Sequence, residues 1–207
     1  MEIYISSIRA GELGEIAVIF ELRDRERRNS ERFLISDERY AELSLSVGVS
    51  DKMTYELVER EAKIYSAYKK ALYLLGFASS SRRMLIRKLA LKGCEPEISA
   101  LALDRLEATG LLREADFALR EAEKALQKLW GEERIRASLF EKGYSQEAVD
   151  SVFFAFEDMN VDFIENCRSL IDKKFAPLPS DKKALQKIIA SLVRYGYSLS
   201  QIKQAMG

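Results

Sequence analysis

The apolar positions of this chain recur at helical spacing in three places, and each time a glycine closes the pattern. The segments are 85–93, 135–143 and 188–196. In each, an aliphatic residue stands eight positions before the glycine (Leu85, Ile135, Ile188) and another stands four before it (Leu89, Leu139, Leu192). That spacing puts both on one face of an α-helix, and glycine best tolerates the left-handed position just past a helix end. A second apolar helical pattern follows each segment: Ile98, Leu101 and Leu106; Val149, Val152 and Phe156; Ile202 and Met206. The repeating unit of about 50 residues has the size of a small helical module, and such arrays present surfaces more often than reactive pockets.

The first 35 residues carry a different pattern. Residues 2–5 and 15–22 are rich in β-branched and aromatic residues, with Gly11 and Gly14 between them, and residues 32–35 read as a returning third strand. The segment 23–32, with Asn29-Ser30, reads as a charged turn. Its arginines at 23, 25, 27 and 28 alternate with Asp24 and Glu26, as in a solvated loop. Helices begin at Ser36-Asp37-Glu38, a cap followed by acids, and the first is expected to end near Gly48. Ser50 or Asp51 opens a longer helix to about Leu75, Ser79–Ser81 cap the next, and Pro96 starts another that ends at Gly110. Further helices are expected over 114–129, 131–142, 145–157, 160–175, 180–195 and 198–206. The predicted fold is mainly α: three tandem three-helix repeats, with helix-turn-helix-like units, behind a small N-terminal antiparallel β segment. The expected boundaries are 1–48 for the β-containing segment with one helix, then 49–112, 113–158 and 159–207 for the repeats.

Charge changes this picture only locally. The 33 basic and 33 acidic residues cancel, so the net field says little about partners. Residues 113–158 carry 7 basic and 11 acidic groups, whereas 159–207 carry 8 and 4, so the middle repeat is acidic and the last basic. Between Ala78 and Gly93 stand Arg82, Arg83, Arg87, Lys88 and Lys92 with no acid, a candidate partner-binding face. Arg83, Arg87 and either Lys88 or Lys92 form the continuous stripe. The plainer alternatives are an ordinary solvated face, or pairing with acids of the long helix such as Glu59 or Glu61.

Candidate chemistry is sparse. The chain has no histidine, which excludes Ser-His-Asp and Cys-His catalysis and histidine-ligated zinc. No phosphate-binding glycine loop occurs. Glu132-Glu133 read as complements to a helix dipole, Ser79-Ser80-Ser81 as a capping loop, and Trp130 as packing at a helix junction. Cys94 and Cys167 lack metal-ligand spacing; one disulfide is allowed but not demanded. No apolar signal region or membrane-length run is present, and the simplest compartment is a reducing cytoplasm. No enzymatic activity, cofactor or metal is expected.

A resemblance sharpens the reading. Ala71-Leu72 with Ser81-x-x-x-Leu85-x-x-Lys88-Leu89-x-x-Lys92-Gly93, then Arg105-Leu106-x-x-x-Gly110-Leu111-Leu112 and Asp116-Phe117-Ala118, is similar to the RecX family of recombination regulators. So are Gly131-x-x-Arg134-Ile135-x-x-x-Leu139-x-x-Lys142-Gly143 and Arg194-Tyr195-Gly196-Tyr197-Ser198 with Ile202. The likeness covers about two thirds of the chain, and residues 1–70 match only loosely the extra segment of longer members. The resemblance implies a monomer that binds the RecA recombinase filament on single-stranded DNA, lies in its groove, and restrains its growth, ATP hydrolysis and strand exchange, and with them its coprotease role in the SOS response. The chain departs from the family pattern at Phe77-Ala78-Ser79, Arg113-Glu114 and Glu132-Glu133, which puts direct DNA contact by the second unit in doubt. Two further readings stand beside this one: a direct DNA-binding helical module using the basic helix, which the zero net charge and the acidic middle repeat oppose, and a helical scaffold for an unrelated protein.

Overall fold

The computed structural model describes residues 2–12, 14–24 and 28–207. Arg25, Glu26 and Arg27, the centre of the expected charged loop, lie outside the described residues. The meander forms from β1 (Glu2–Ala10), β2 (Glu15–Arg23) and β3 (Arg28–Ser36), each antiparallel to the next. β3 starts earlier than expected. Arg28, Asn29 and Ser30 pair with Arg23, Leu22 and Glu21, so ladder hydrogen bonding extends to the end of β2 and overrides the weak strand preference of Asn-Ser.

A fourth strand, β4 (Gly48–Ser50), pairs with β1 and gives the order β3-β2-β1-β4. Its segment was expected to belong to a helix end and the following cap. Helix α1 (Asp37–Leu43) is correspondingly shorter: Ser36 Oγ accepts from the Arg39 N–H at 3.3 Å, and Ser44 ends the helix with φ 49°. The β1–β2 register shifts between Ile5 and Ser7. The bulge changes the phase of alternation, so Ile3 and Ile5 face the core before it and Ile8 packs there after it. Helix α2 (Lys52–Phe77), capped by Asp51 on the Thr54 N–H, lays Val58 on the core of Val18, Phe20 and Ile35. Phe20, Phe33 and Tyr55 meet edge-to-face with centroids 5.2–5.8 Å apart.

The chain divides into two bodies, one of 1–78 and 85–112, the other of 79–84 and 113–207. In the first, α2 packs on α4 (Pro96–Ala108) through Ile64, Ala67, Ile98 and Ala102. Between them in sequence, α3 (Arg82–Ala90) buries Leu85 and Leu89 completely. In the second body, α5 (Glu114–Leu126), α6 (Glu132–Glu141) and α7 (Gln146–Asp158) enclose Ala118, Ala122, Ile135, Leu139, Val149 and Phe156. Helices α8 (Phe163–Lys174), α9 (Lys182–Arg194) and α10 (Leu199–Met206) enclose Cys167, Leu170, Leu192, Tyr197 and Ile202. In every repeat the first helix packs on the third, α2 on α4, α5 on α7 and α8 on α10.

The glycine pattern is realised as one recurring turn. Gly93, Gly143 and Gly196 have φ of 76°, 81° and 94°. The residue after each returns its N–H to the carbonyl of the core leucine, at 3.1 Å for Cys94, 3.1 Å for Tyr144 and 3.3 Å for Tyr197. This closure satisfies a carbonyl that the helix end leaves over, and it fixes the glycine relative to the buried leucine four residues earlier.

Two further helix bounds differ from expectation by three residues each. Helix α8 begins at Phe163, because Asn160 closes α7 with φ 53° and Asp162 caps α8 by accepting from the Ile164 and Glu165 N–H groups. Helix α5 ends at Leu126, and Leu129 takes φ 54°, leaving its carbonyl to accept from the Tyr197 hydroxyl at 2.9 Å.

Candidate partner-binding face

Helix α3 is held at its start by Ser81, whose Oγ accepts from the Met84 N–H at 3.2 Å and donates to the Lys142 carbonyl at 2.7 Å. The Arg82 N–H donates to Glu114 Oε1 at 2.9 Å. Because Leu85 and Leu89 point into the core, the opposite side of α3 faces solvent. Arg83 and Arg87, one turn apart, are exposed there, and Lys92 is exposed just past the helix end. Arg82 and Lys88 are half-buried. The five basic residues thus divide. Three stand in solvent without an ion pair among the described residues, and two lie closer to the body.

The acids considered as internal partners are committed elsewhere. Glu59 pairs with Lys63 at 2.9 Å. Glu61 is buried at 5% exposure and receives Arg39 at 3.1 Å and Arg105 at 2.7 Å. Burial alone would raise its carboxyl, but the hydrogen bonds and charges of Arg105 and Arg39 outweigh that and hold it below the usual carboxylate range. Glu61 therefore ties α1, α2 and α4 together within the first body. Sequence reasoning missed this centre: Arg39, Glu61 and Arg105 share no local pattern, and only the fold brings them together.

A cleft of about 430 Å³ in the first body is lined by Arg32, Tyr65, Lys69, Lys70, Gly93 and Cys94, among others. Two of its ammonium groups are already engaged. Lys69 pairs with Glu15 at 2.6 Å, and Lys70 donates to the Lys92 carbonyl at 3.3 Å. Among the described residues no group of His, Cys, Asp and Glu side chains is placed to hold a metal ion, and Cys94 and Cys167 are both free thiols. No described helix is long and apolar enough to cross a membrane.

The second body contains a tighter joint between its repeats. Gly131 N–H donates to the Tyr195 carbonyl at 2.7 Å and Glu133 N–H to the Gly196 carbonyl at 3.2 Å, so the glycine turn of the third repeat seats on the start of α6. Trp130, expected at a helix junction, is half-buried there, with the Arg134 guanidinium over its ring at 4.0 Å.

Comparison with known proteins agrees with this architecture. The family model for the third three-helix domain of RecX matches residues 161–206, and that for the first matches residues 67–106. A protein of Xanthomonas axonopodis pv. citri (strain 306), described as regulatory protein RecX, is 33% identical over 147 residues, 70% of this chain and 89% of that protein. The chain belongs to the RecX family. A second RecX, from Halorhodospira halophila, is 30% identical over 136 residues, 65% of this chain and 83% of its own. A crystal structure of a regulatory protein RecX has the same fold, with TM-score 0.74 at 19% identity, covering 98% of this chain and 99% of that one. The crystal structure of RecX from Lactobacillus salivarius aligns with TM-score 0.61 at 19% identity, over 70% of this chain and 94% of its own.

Proposed function

We propose that this RecX-family regulator acts without catalysis of its own, in the cytoplasm, by binding the RecA recombinase filament on single-stranded DNA and restraining its ATP hydrolysis, strand exchange and coprotease activity. Family membership supplies the regulatory role. The observation that carries the binding face is the row of Arg83 and Arg87 on α3 with Lys92 just past its end, exposed and without an ion pair among the described residues, on a helix whose inner side is locked by Leu85 and Leu89. Unpaired interface charge accelerates encounter and selects a partner, while contributing little to folding.

The test is the DNA-stimulated ATPase of RecA titrated with this chain and with its Arg83→Glu/Arg87→Glu variant. Inhibition by the chain, weakened about tenfold in the variant at unchanged melting temperature, supports the reading. No inhibition by the chain refutes it. A variant that melts earlier but inhibits equally per folded molecule removes α3 as the contact. Binding of the chain to bare single-stranded DNA as tightly as to the filament would favour the direct DNA-binding alternative; the acidic middle repeat opposes that outcome.

A further inference from the structure

The joint between the second and third repeats carries a feature that neither the fold nor the α3 face explains. Arg134, in the first turn of α6, lies with its guanidinium 4.0 Å from the Trp130 ring centroid and 5.3 Å from that of Tyr195. Lys128 Nζ stands 5.6 Å from the Trp130 ring, and Lys174 Nζ stands 4.8 Å from the Tyr195 ring and donates to the Tyr195 hydroxyl. Three cations are thus gathered on two rings from separate elements, and among the described residues none of the three makes an ion pair. The Tyr195 phenol is held below its ordinary value, chiefly by the Lys174 hydrogen bond and further by the charges of Lys174 and Arg134, against the opposing effect of burial. Like charges converging this closely repel, and the rings offset only part of that cost.

The cradle is also rigid. Gly131 N–H on the Tyr195 carbonyl and the Tyr197 hydroxyl on the Leu129 carbonyl pin the backbone on both sides of the rings. Arg134 therefore presents a guanidinium held close to two rings, with no hydrogen-bond acceptor for its N–H groups among the described residues. A planar carboxylate takes a guanidinium edge through two parallel hydrogen bonds. Lys128 and Lys174, both exposed, stand ready for neighbouring carboxylates.

We infer that the Trp130–Arg134–Tyr195 cradle, flanked by Lys128 and Lys174, is a binding site for an acidic segment of a partner protein. Carboxylates fit better than a nucleic-acid strand. Strand binding calls on open aromatic faces and an extended cationic groove. Here cations already occupy ring faces, and Glu132 and Glu133 stand beside the cluster at the start of α6. A short run of Asp and Glu meets only the cations; a longer phosphate track would run onto those acids. The site is separate from the α3 face and does not rest on the identity of the filament.

Trp130 is the chain's single tryptophan, so its fluorescence reports the cradle directly. The experiment titrates the full chain at low salt with a short oligoglutamate peptide and, separately, with oligothymidylate. The expected result is a saturable change in Trp130 emission with oligoglutamate, absent or at least about tenfold weaker with oligothymidylate. Lys128→Gln/Lys174→Gln alters exposed side chains only and should weaken the peptide about tenfold at unchanged melting temperature; Arg134→Gln should weaken it further. No saturable change with oligoglutamate, an equal or tighter response to oligothymidylate, or unaltered affinity in the folded double variant would each overturn the assignment.

Discussion

Replacing the repeat glycines by alanine should cost unequal amounts of stability, in an order that the structure sets. All three have positive φ, so each substitution carries about 1 kcal/mol for placing a Cβ in the left-handed region. At Gly93 nothing lies within 4 Å of the new Cβ, and the cost stops there. At Gly143 it meets Ser81 Oγ at 3.1 Å and Arg83 side-chain carbons at 3.3 Å, atoms that can yield slightly, so the loss is somewhat larger. At Gly196 it meets the Arg134 backbone nitrogen at 2.4 Å and Arg134 Cβ at 2.5 Å. The third-repeat turn must then lift off α6 and lose the Gly131–Tyr195 and Glu133–Gly196 hydrogen bonds, so the total is about 3 kcal/mol or more. Gly131 is the control. Its φ of −77° suits any residue, yet its Cβ would lie 2.3 Å from the Gly196 carbonyl oxygen, so its cost is purely steric. Equilibrium urea unfolding read by far-UV circular dichroism, with Trp130 fluorescence following the second body, measures all four. The Gly131→Ala/Gly196→Ala double variant should lose less than the sum of the singles, because both open the same gap. Equal losses at Gly93 and Gly196, or strict additivity of that pair, would refute the seated turn.

Leu89→Ala, Leu139→Ala and Leu192→Ala should each cost about 2–5 kcal/mol in the same assay, since all three are buried at 2% exposure or less; a loss below about 1 kcal/mol at any of them would remove it from the core. Glu61 titrates below its unfolded value, so its contribution is present above about pH 4 and lost as pH falls through its folded value. Glu61→Gln should therefore lower stability at pH 7 by about 1–3 kcal/mol and flatten the loss below pH 4, and an unchanged acid limb in the unfolding curve would contradict this. Native-state thiol labelling should modify half-buried Cys94 and spare Cys167, which is fully buried with its thiol pushed up to about 11 by burial; equal rates would show the third-repeat core to be open.

The repeat was legible because its marks are local. A glycine four residues after a buried leucine closes the helix by the same pair of backbone bonds wherever it occurs, so spacing alone located Leu89, Leu139 and Leu192. Helix starts at Ser36, Ser145 and Ser198 were legible for the same reason, since each cap bonds an N–H three residues on, and the start left open between Ser50 and Asp51 is made by Asp51. What escaped depends on distant partners. β4 is three residues long and exists because β1 offers it an edge. Asn29 and Ser30 join a strand because β2 extends opposite them. Periodicity could separate exposed Arg83 and Arg87 from half-buried Arg82 and Lys88 once the core face of α3 was known. It could not assemble Arg39, Glu61 and Arg105, or bring Tyr195 onto Arg134, because those meetings join segments that only the tertiary fold makes neighbours.

The most direct test of the central claim is co-sedimentation of this chain with RecA assembled on single-stranded DNA in the presence of a non-hydrolysed nucleotide. Free RecA and bare single-stranded DNA serve as separate controls, alongside the Arg83→Glu/Arg87→Glu variant. The account predicts that the chain pellets with the filament, that neither control carries it down comparably, and that the folded variant pellets about tenfold more weakly. A chain that stays in the supernatant with the filament, or that pellets equally well with bare DNA, would contradict it.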